Sequence, residues 1–125
     1  MTTVMVVDDD ANIRKMVGLL LVKEGYDVVE ADSGGMCVDK LKSSEHPDLI
    51  LLDVMMPKMD GWETCKIIKN DDKTKDITIV MLTVKDLDDD KIKSLESSNA
   101  DWHISKPIVK DIFLKTIKWV LDSKN

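Results

Sequence analysis

Four short, largely apolar runs in this chain each close on a polar or charged residue: 4–7 on Asp8, Asp9 and Asp10, 49–52 on Asp53, 79–82 on Thr83, and 102–105 on Lys106. Between them lie stretches of helical length and period, and strands that alternate with helices build a parallel sheet covered on both faces. Such a sheet lines up the carboxyl ends of its strands along one rim, where open α/β sheets bind ligands. Acids, a hydroxyl and an ammonium are therefore expected to converge at one edge of the fold.

The 125 residues divide into five β/α units, a single domain over 1–125. Strands are expected near 3–8, 27–31, 48–53, 77–82 and 100–104. The run Leu49-Ile50-Leu51-Leu52 shows no alternation, which marks a central strand buried on both faces. In the first helix Ile13, Met16, Val17, Leu20 and Leu21 fall on one face of a 3.6-residue period, and Gly25 supplies a stop. A second helix is expected at about 33–41, capped by Ser33. A third is expected at about 62–69, offering Trp62, Cys65 and Ile68 to one side, followed by a polar exposed loop over 70–76. A fourth, at about 86–97, carries only Leu87, Ile92 and Leu95 beside Asp88-Asp89-Asp90 and is expected to be loosely anchored. Ile112, Phe113, Thr116, Ile117, Val120 and Leu121 line the last. The fold class is thus a (βα)5 doubly wound, parallel five-stranded sheet.

With 43% apolar residues the chain can fill one core, and within these 125 residues a second effector domain is not expected. A formal charge of −6 repels phosphate backbones and anionic lipid, so direct nucleic-acid binding is not expected. The start of the chain has neither a basic segment before a long apolar one nor a membrane-length run, which points to a soluble, cytoplasmic protein without membrane insertion. Cys37 and Cys65 lie in helical patterns without metal-ligand spacing and are expected to be reduced, half-buried thiols.

Adjacent carboxylates repel, so Asp8 and Asp9 beside Asp53 call for protonation, a cation, or both. Mg2+ suits a site with few protein ligands, because it keeps waters and takes one or two carboxylates together with phosphate oxygens. A carboxylate can attack phosphorus to give an aspartyl phosphate, a transfer that needs mainly in-line positioning and charge neutralisation. Lys106 and Mg2+ supply positive charge for it, and Thr83 a hydrogen bond. Taken singly, the same residues have plainer roles: acids before a helix serve as caps, a lone Thr at a strand end is usually a cap or turn residue, and a lone Lys before Pro is usually solvated. Their coincidence at strand ends is what favours a site.

Val6-Val7-Asp8-Asp9, Leu51-Leu52-Asp53-Val54-Met55-Met56-Pro57 with Met59-Asp60-Gly61, Met81-Leu82-Thr83 and Lys106-Pro107 together resemble the motifs of the response-regulator receiver domain. This is the CheY-like, flavodoxin-like phosphoacceptor module of two-component signalling. The resemblance implies strand order 2-1-3-4-5 and Asp53 as phosphoacceptor. It also implies Mg2+ held by Asp8, Asp9, Asp53 and the backbone carbonyl of Met55, with Thr83 and Lys106 contacting the phosphoryl group. Lys106-Pro107 is then expected to be cis. The phosphoryl donor would be a sensor histidine kinase or a phosphotransfer protein. The domain would be a switch with only weak self-catalysed transfer and autodephosphorylation, not an enzyme. Its output would pass through the helix after strand 4, strand 5 and the last helix, including Lys118 and Trp119, to a downstream protein or effector domain, as a monomer or a phosphorylation-dependent dimer.

Two positions depart from the family pattern. His103 stands where an aromatic switch residue, usually Tyr or Phe, is found, and it serves either as that switch or as an exposed strand-end histidine, with Trp102 taking the buried face. Val84 replaces the usual small residue after Thr83, and its β-branch is expected to crowd the acceptor and slow phosphotransfer or hydrolysis. Two rivals remain. A phosphatase of the haloacid-dehalogenase type would use the Asp8-x-Asp10 spacing but leave Asp53 without a role. A degenerate receiver acting only in protein interaction would not need every site position filled.

Overall fold

The structure is a computed structural model and describes residues 2–43, 46–84 and 99–123. Its elements run β1 (Thr3–Val7), α1 (Ala11–Lys23), β2 (Asp27–Ala31), α2 (Gly34–Ser43), β3 (Leu49–Asp53), α3 (Gly61–Lys69), β4 (Thr78–Val84), β5 (Trp102–Lys106) and α4 (Lys110–Asp122). The five strands are all parallel in the order β2-β1-β3-β4-β5. The expected helix over 86–97 lies outside the described residues.

Alternation along the strands sends residues to two cores. Met5, Val7, Ile50, Leu52, Ile79 and Met81 pack with Cys37 and Leu41 of α2 and Cys65 and Ile68 of α3. Val4, Val6, Leu49, Leu51, Val80 and Leu82 pack with Val17 and Leu21 of α1 and Phe113 and Ile117 of α4. β1 and β3 lie inside the sheet, and every residue of β3 is buried. This accounts for the unbroken apolar run of β3, since both of its faces meet a helix layer.

Local chemistry sets the helix starts. Asp10 accepts from the amide of Asn12, Asp60 from that of Glu63, and the Ser33 hydroxyl from that of Met36. The chain leaves α1 through Gly25 at φ 94°, a left-handed geometry open to glycine at little steric cost. Neither cysteine forms a disulfide, and both are fully buried rather than half-buried as expected, because each faces the core between its helix and the sheet. Burial pushes the Cys37 thiol up to about 12, against a smaller opposing pull from Lys40, which keeps it protonated.

Several boundaries and faces differ from the expectations. Strand 4 runs on to Val84, and strand 5 begins at Trp102 and ends at Lys106, because Thr83 pairs with Ser105 and Val84 with Lys106. Met16 and Ile112, expected on buried faces, are 40% and 63% exposed. The sheet covers a narrower arc of α1 and α4 than the apolar spacing spans. The loop over 70–76 is polar but not wholly exposed: Thr74 is buried and its hydroxyl donates to the Ile68 carbonyl.

Candidate functional site

The expected convergence forms at the carboxyl ends of β1, β3 and β5. Carboxylate oxygens of Asp8, Asp9 and Asp53 lie within 4.8 Å of one another. Asp8 and Asp53 are buried and Asp9 is exposed, so the cluster opens to solvent on one side. From β5 the Lys106 ammonium reaches across β4's end and donates to Asp8 Oδ2 at 3.1 Å and to Asp53 Oδ1 at 3.2 Å. The Lys106-Pro107 peptide that follows is cis, as expected.

The acidic loop is held in place from both sides. The Asp8 side chain accepts from the amide of Asp10 at 2.9 Å, and its backbone carbonyl accepts from Arg14 Nη1 at 2.7 Å. Arg14 is itself fixed by Glu30 of β2 through a 3.1 Å ion pair. On the β3 side, the Gly61 amide donates to the Val54 carbonyl at 3.0 Å. A Cβ at Gly61 would fall 2.4 Å from the Asp53 carbonyl oxygen and 2.7 Å from the Val54 Cα. Only glycine lets α3 start this close to the strand end that carries Asp53. Neither Arg14 nor this packing role of Gly61 was legible in the sequence, because neither residue stands in a chemical motif of its own.

Electrostatics at the cluster are unbalanced. Burial, and after it the negative charge of Asp8, raise the Asp53 carboxyl to about 6, against the opposing pull of Lys106 and the Met55 amide. Burial acts to lower the Lys106 pKa. The hydrogen bonds and charges of Asp8 and Asp53 outweigh it, so the ammonium titrates above its ordinary value. At neutral pH one cation thus faces three carboxylates. Oxygen-only donors, two of them buried and one open to water, fit a small hard divalent cation such as Mg2+.

Thr83 ends up buried at the end of β4, and it makes no hydrogen bond to the carboxylates. Met55 is half-exposed, and its amide approaches Asp53 Oδ1 at 3.4 Å. His103 is exposed on β5 and stacks on Trp102, centroids 6.0 Å apart and planes at 21°. Trp102 does not take a buried position; it is 45% exposed and meets the edge of Trp119 at 4.9 Å.

Residues 4–118 match the response regulator receiver domain family. The chain belongs to this family. It is 39% identical to protein PilG of Pseudomonas aeruginosa over 92% of this chain and 84% of that protein. It is 40% identical to the phosphate regulon transcriptional regulatory protein PhoB of the same species, over 95% of this chain but 51% of PhoB. The chain thus spans about half the length of that relative. Among solved structures, the chemotaxis protein CheY4 of Vibrio cholerae superposes with a TM-score of 0.86 at 32% identity, covering 96% of this chain and 98% of that one. A CheY-like receiver domain protein of Methanospirillum hungatei gives 0.83 at 37% identity, covering 97% and 94%. Receiver domains are phosphoacceptor switches of two-component signalling that bind Mg2+ in the acidic site and work with histidine kinases and downstream effectors. Among the described residues no helix is long and apolar enough to cross a membrane.

Proposed function

We propose that residues 1–125 work as one receiver domain in which Asp53 accepts a phosphoryl group from a phosphohistidine of a sensor kinase or phosphotransfer protein. The observation that carries this reading is Lys106 bridging Asp8 and Asp53 at 3.1 and 3.2 Å within a cluster of three carboxylates. Asp53 Oδ attacks phosphorus in line, the P–N bond to the donor breaks, and the nitrogen keeps its electron pair. Lys106 draws negative charge toward itself, and Thr83 donates a hydrogen bond to a phosphoryl oxygen. Mg2+, held by Asp8, Asp9, Asp53 and the Met55 carbonyl, would offset the charge of the carboxylates and the phosphoryl oxygens.

The domain's own chemistry is slow transfer and slow hydrolysis, and its product is a conformational signal. Thr83 and His103 carry that signal to the surface of β5 and α4, where a cytoplasmic partner or effector domain reads it. Intact mass after incubation with phosphoramidate and Mg2+ tests the reading. One added phosphoryl group is expected on the wild type and none on Asp53→Asn. An adduct on the variant, or none on a wild type shown to bind Mg2+, would overturn it.

A further inference from the structure

Arg14 holds a place in α1 that local chemistry does not favour for a cation. It stands ahead of Val17 and Leu21, the buried residues of the helix, at the start of the stripe that meets the sheet. There it lies in the first turn, where the helix dipole disfavours positive charge. On β2, Glu30 follows Val28 by two residues and shares its face, the one packed beneath α1. The two charges meet above the carboxyl end of the sheet. Arg14 Nε donates to Glu30 Oε1 at 3.1 Å, and Nη1 donates to the Asp8 carbonyl at 2.7 Å. The Arg14 side chain is 18% exposed and that of Glu30 53%, so the guanidinium is enclosed while its counter-charge borders solvent. The Asp8 amide donates to the Ala31 carbonyl at 3.2 Å, and Asp8 Oδ1 accepts from the Asp10 amide. Asp8 is thus held on its amide, its carboxylate and its carbonyl, and the last of these depends on Arg14. Because a peptide is planar, the bond to that carbonyl also fixes the direction in which the chain leaves toward Asp9.

We propose that Arg14 is a positioning residue for the divalent cation: it fixes the peptide joining Asp8 to Asp9, and Glu30 cancels the charge with which it would otherwise repel the ion. The proposal rests on Asp8, Asp9 and Asp53 being the acids that hold Mg2+. Without Arg14 the Asp8 carbonyl is left to water and the Asp8–Asp9 peptide is free to turn. The exposed Asp9 carboxylate then samples more directions, and binding has to order it. Without the charge of Glu30 the guanidinium stays in place, but its positive charge acts unopposed on the cluster. Both changes weaken cation binding, and only the second does so through a charge that salt screens. An arginine suits the role because its planar fork serves two acceptors at once, whereas the single ammonium of a lysine offers no fixed fork. Groups that orient a metal's ligands commonly contribute roughly ten- to a hundred-fold to affinity. Arg14 acts on a backbone carbonyl and not on a carboxylate, which places it at the lower end of that range.

The test titrates Mg2+ into the wild type, Arg14→Met, Arg14→Lys and Glu30→Gln by calorimetry at low and at high salt, with thermal midpoints taken in EDTA. At high salt, where screening leaves only the lost positioning, binding about ten-fold weaker is expected in Arg14→Met. Arg14→Lys should recover part of this and bind about three-fold more weakly than the wild type. In Glu30→Gln the amide oxygen still accepts from Arg14 Nε, so binding should be about three-fold weaker at low salt and close to the wild type at high salt. Loading by phosphoramidate, followed by intact mass, should return to within about two-fold of the wild-type rate once Mg2+ is saturating. Wild-type Mg2+ affinity in Arg14→Met, whatever its thermal midpoint, would overturn the proposal, as would loading that stays slow at saturating Mg2+. A deficit in Glu30→Gln that salt does not relieve would also overturn it, since the pair would then be a plain brace of α1 against β2. If Arg14→Met does not fold, Arg14→Lys and Glu30→Gln decide by the same criteria. Shifted affinities with no adduct on any of the proteins would support the role of Arg14 and overturn Asp53 as acceptor.

Discussion

At the amino end of the sheet Lys69 donates to the carbonyls of Lys75 and Ile77, at 3.2 and 2.8 Å, and to Asp101 Oδ2 at 3.0 Å. The same carboxylate oxygen accepts from the amide of Ile79 at 2.7 Å. One ammonium and one carboxylate there tie the end of α3, the start of β4 and the approach to β5 together, with charges matched and the ammonium's bonds filled. At the carboxyl end Lys106 is shared between two buried acids with a third close by. The two lysines look alike in sequence and are put to opposite uses. A matched pair with satisfied hydrogen bonds is a fastening, whereas an excess of buried like charge costs stability until something arrives to balance it.

Breaking the fastening should give the largest effect. Lys69→Met keeps most of the apolar stem but strands Asp101 and two carbonyls, and a loss of about 2–3 kcal/mol is expected in urea unfolding. A loss below about 0.5 kcal/mol would mean that the pair behaves as an ordinary surface bridge and that the contrast between the two ends is weaker than the geometry implies.

Relieving the rim should act in the other direction. Asp53 has its carboxyl raised from 3.8 to about 6, so the folded state binds this proton more tightly than the unfolded chain does. The group's contribution to stability is therefore fully present below about pH 4 and is lost as pH rises through 6. At full strength the shift corresponds to about 3 kcal/mol, and the water that reaches the cluster screens part of it, leaving about 1–2 kcal/mol. In EDTA at pH 7.5 (a condition chosen well above 6), Asp53→Asn should be more stable than the wild type by that amount. The gain should vanish near pH 4. An equal difference at both values would assign it to packing rather than to charge. The same proton competes with a cation, so Mg2+ affinity should fall about ten-fold for each pH unit below 6, and in Asp53→Asn that dependence should flatten.

The rim was legible in the sequence because each of its members ends a strand, and the register of a parallel sheet turns that linear position into a shared edge. Asp8, Asp9, Asp53 and Lys106 were found this way. Thr83 was placed at the right strand end, but its burial was not foreseen. The central strands were equally readable from the unbroken Leu49–Leu52 core, and Asp10 and Ser33 stood out as candidate caps, whereas Asp60 was not read as the cap of α3. The amino-end fastening was not, because Lys69 and Asp101 stand 32 residues apart and neither belongs to a pattern. Strand 5 was misplaced by two residues at both ends for a related reason. It is an edge strand of which only Ile104 is buried, so its limits come from pairing with Thr83 and Val84 and not from its own composition. Met16 and Ile112 show the converse: periodicity counts apolar residues, and the sheet decides which of them it covers.

The smallest expected effect concerns a flaw in the well-matched end. Thr78 opens β4 opposite Leu49, is 1% exposed, and its hydroxyl has no hydrogen-bond partner among the described residues. Its neighbours on the same face, Val80 and Leu82, belong to the core beneath α1 and α4. A buried hydroxyl without a partner keeps its desolvation cost, and valine has nearly the same shape and a strand preference of its own. Thr78→Val should therefore stabilise the protein by about 1 kcal/mol, a rise of roughly 3–6 °C in thermal midpoint for a domain of this size. Because Thr78 lies at the far end of β4 from Thr83 and Val84, the substitution should leave phosphoryl loading and decay unchanged. A stabilised variant with altered decay would show that the two ends of β4 are coupled, and the division between a fastened base and a poised rim would then have to be redrawn along this strand.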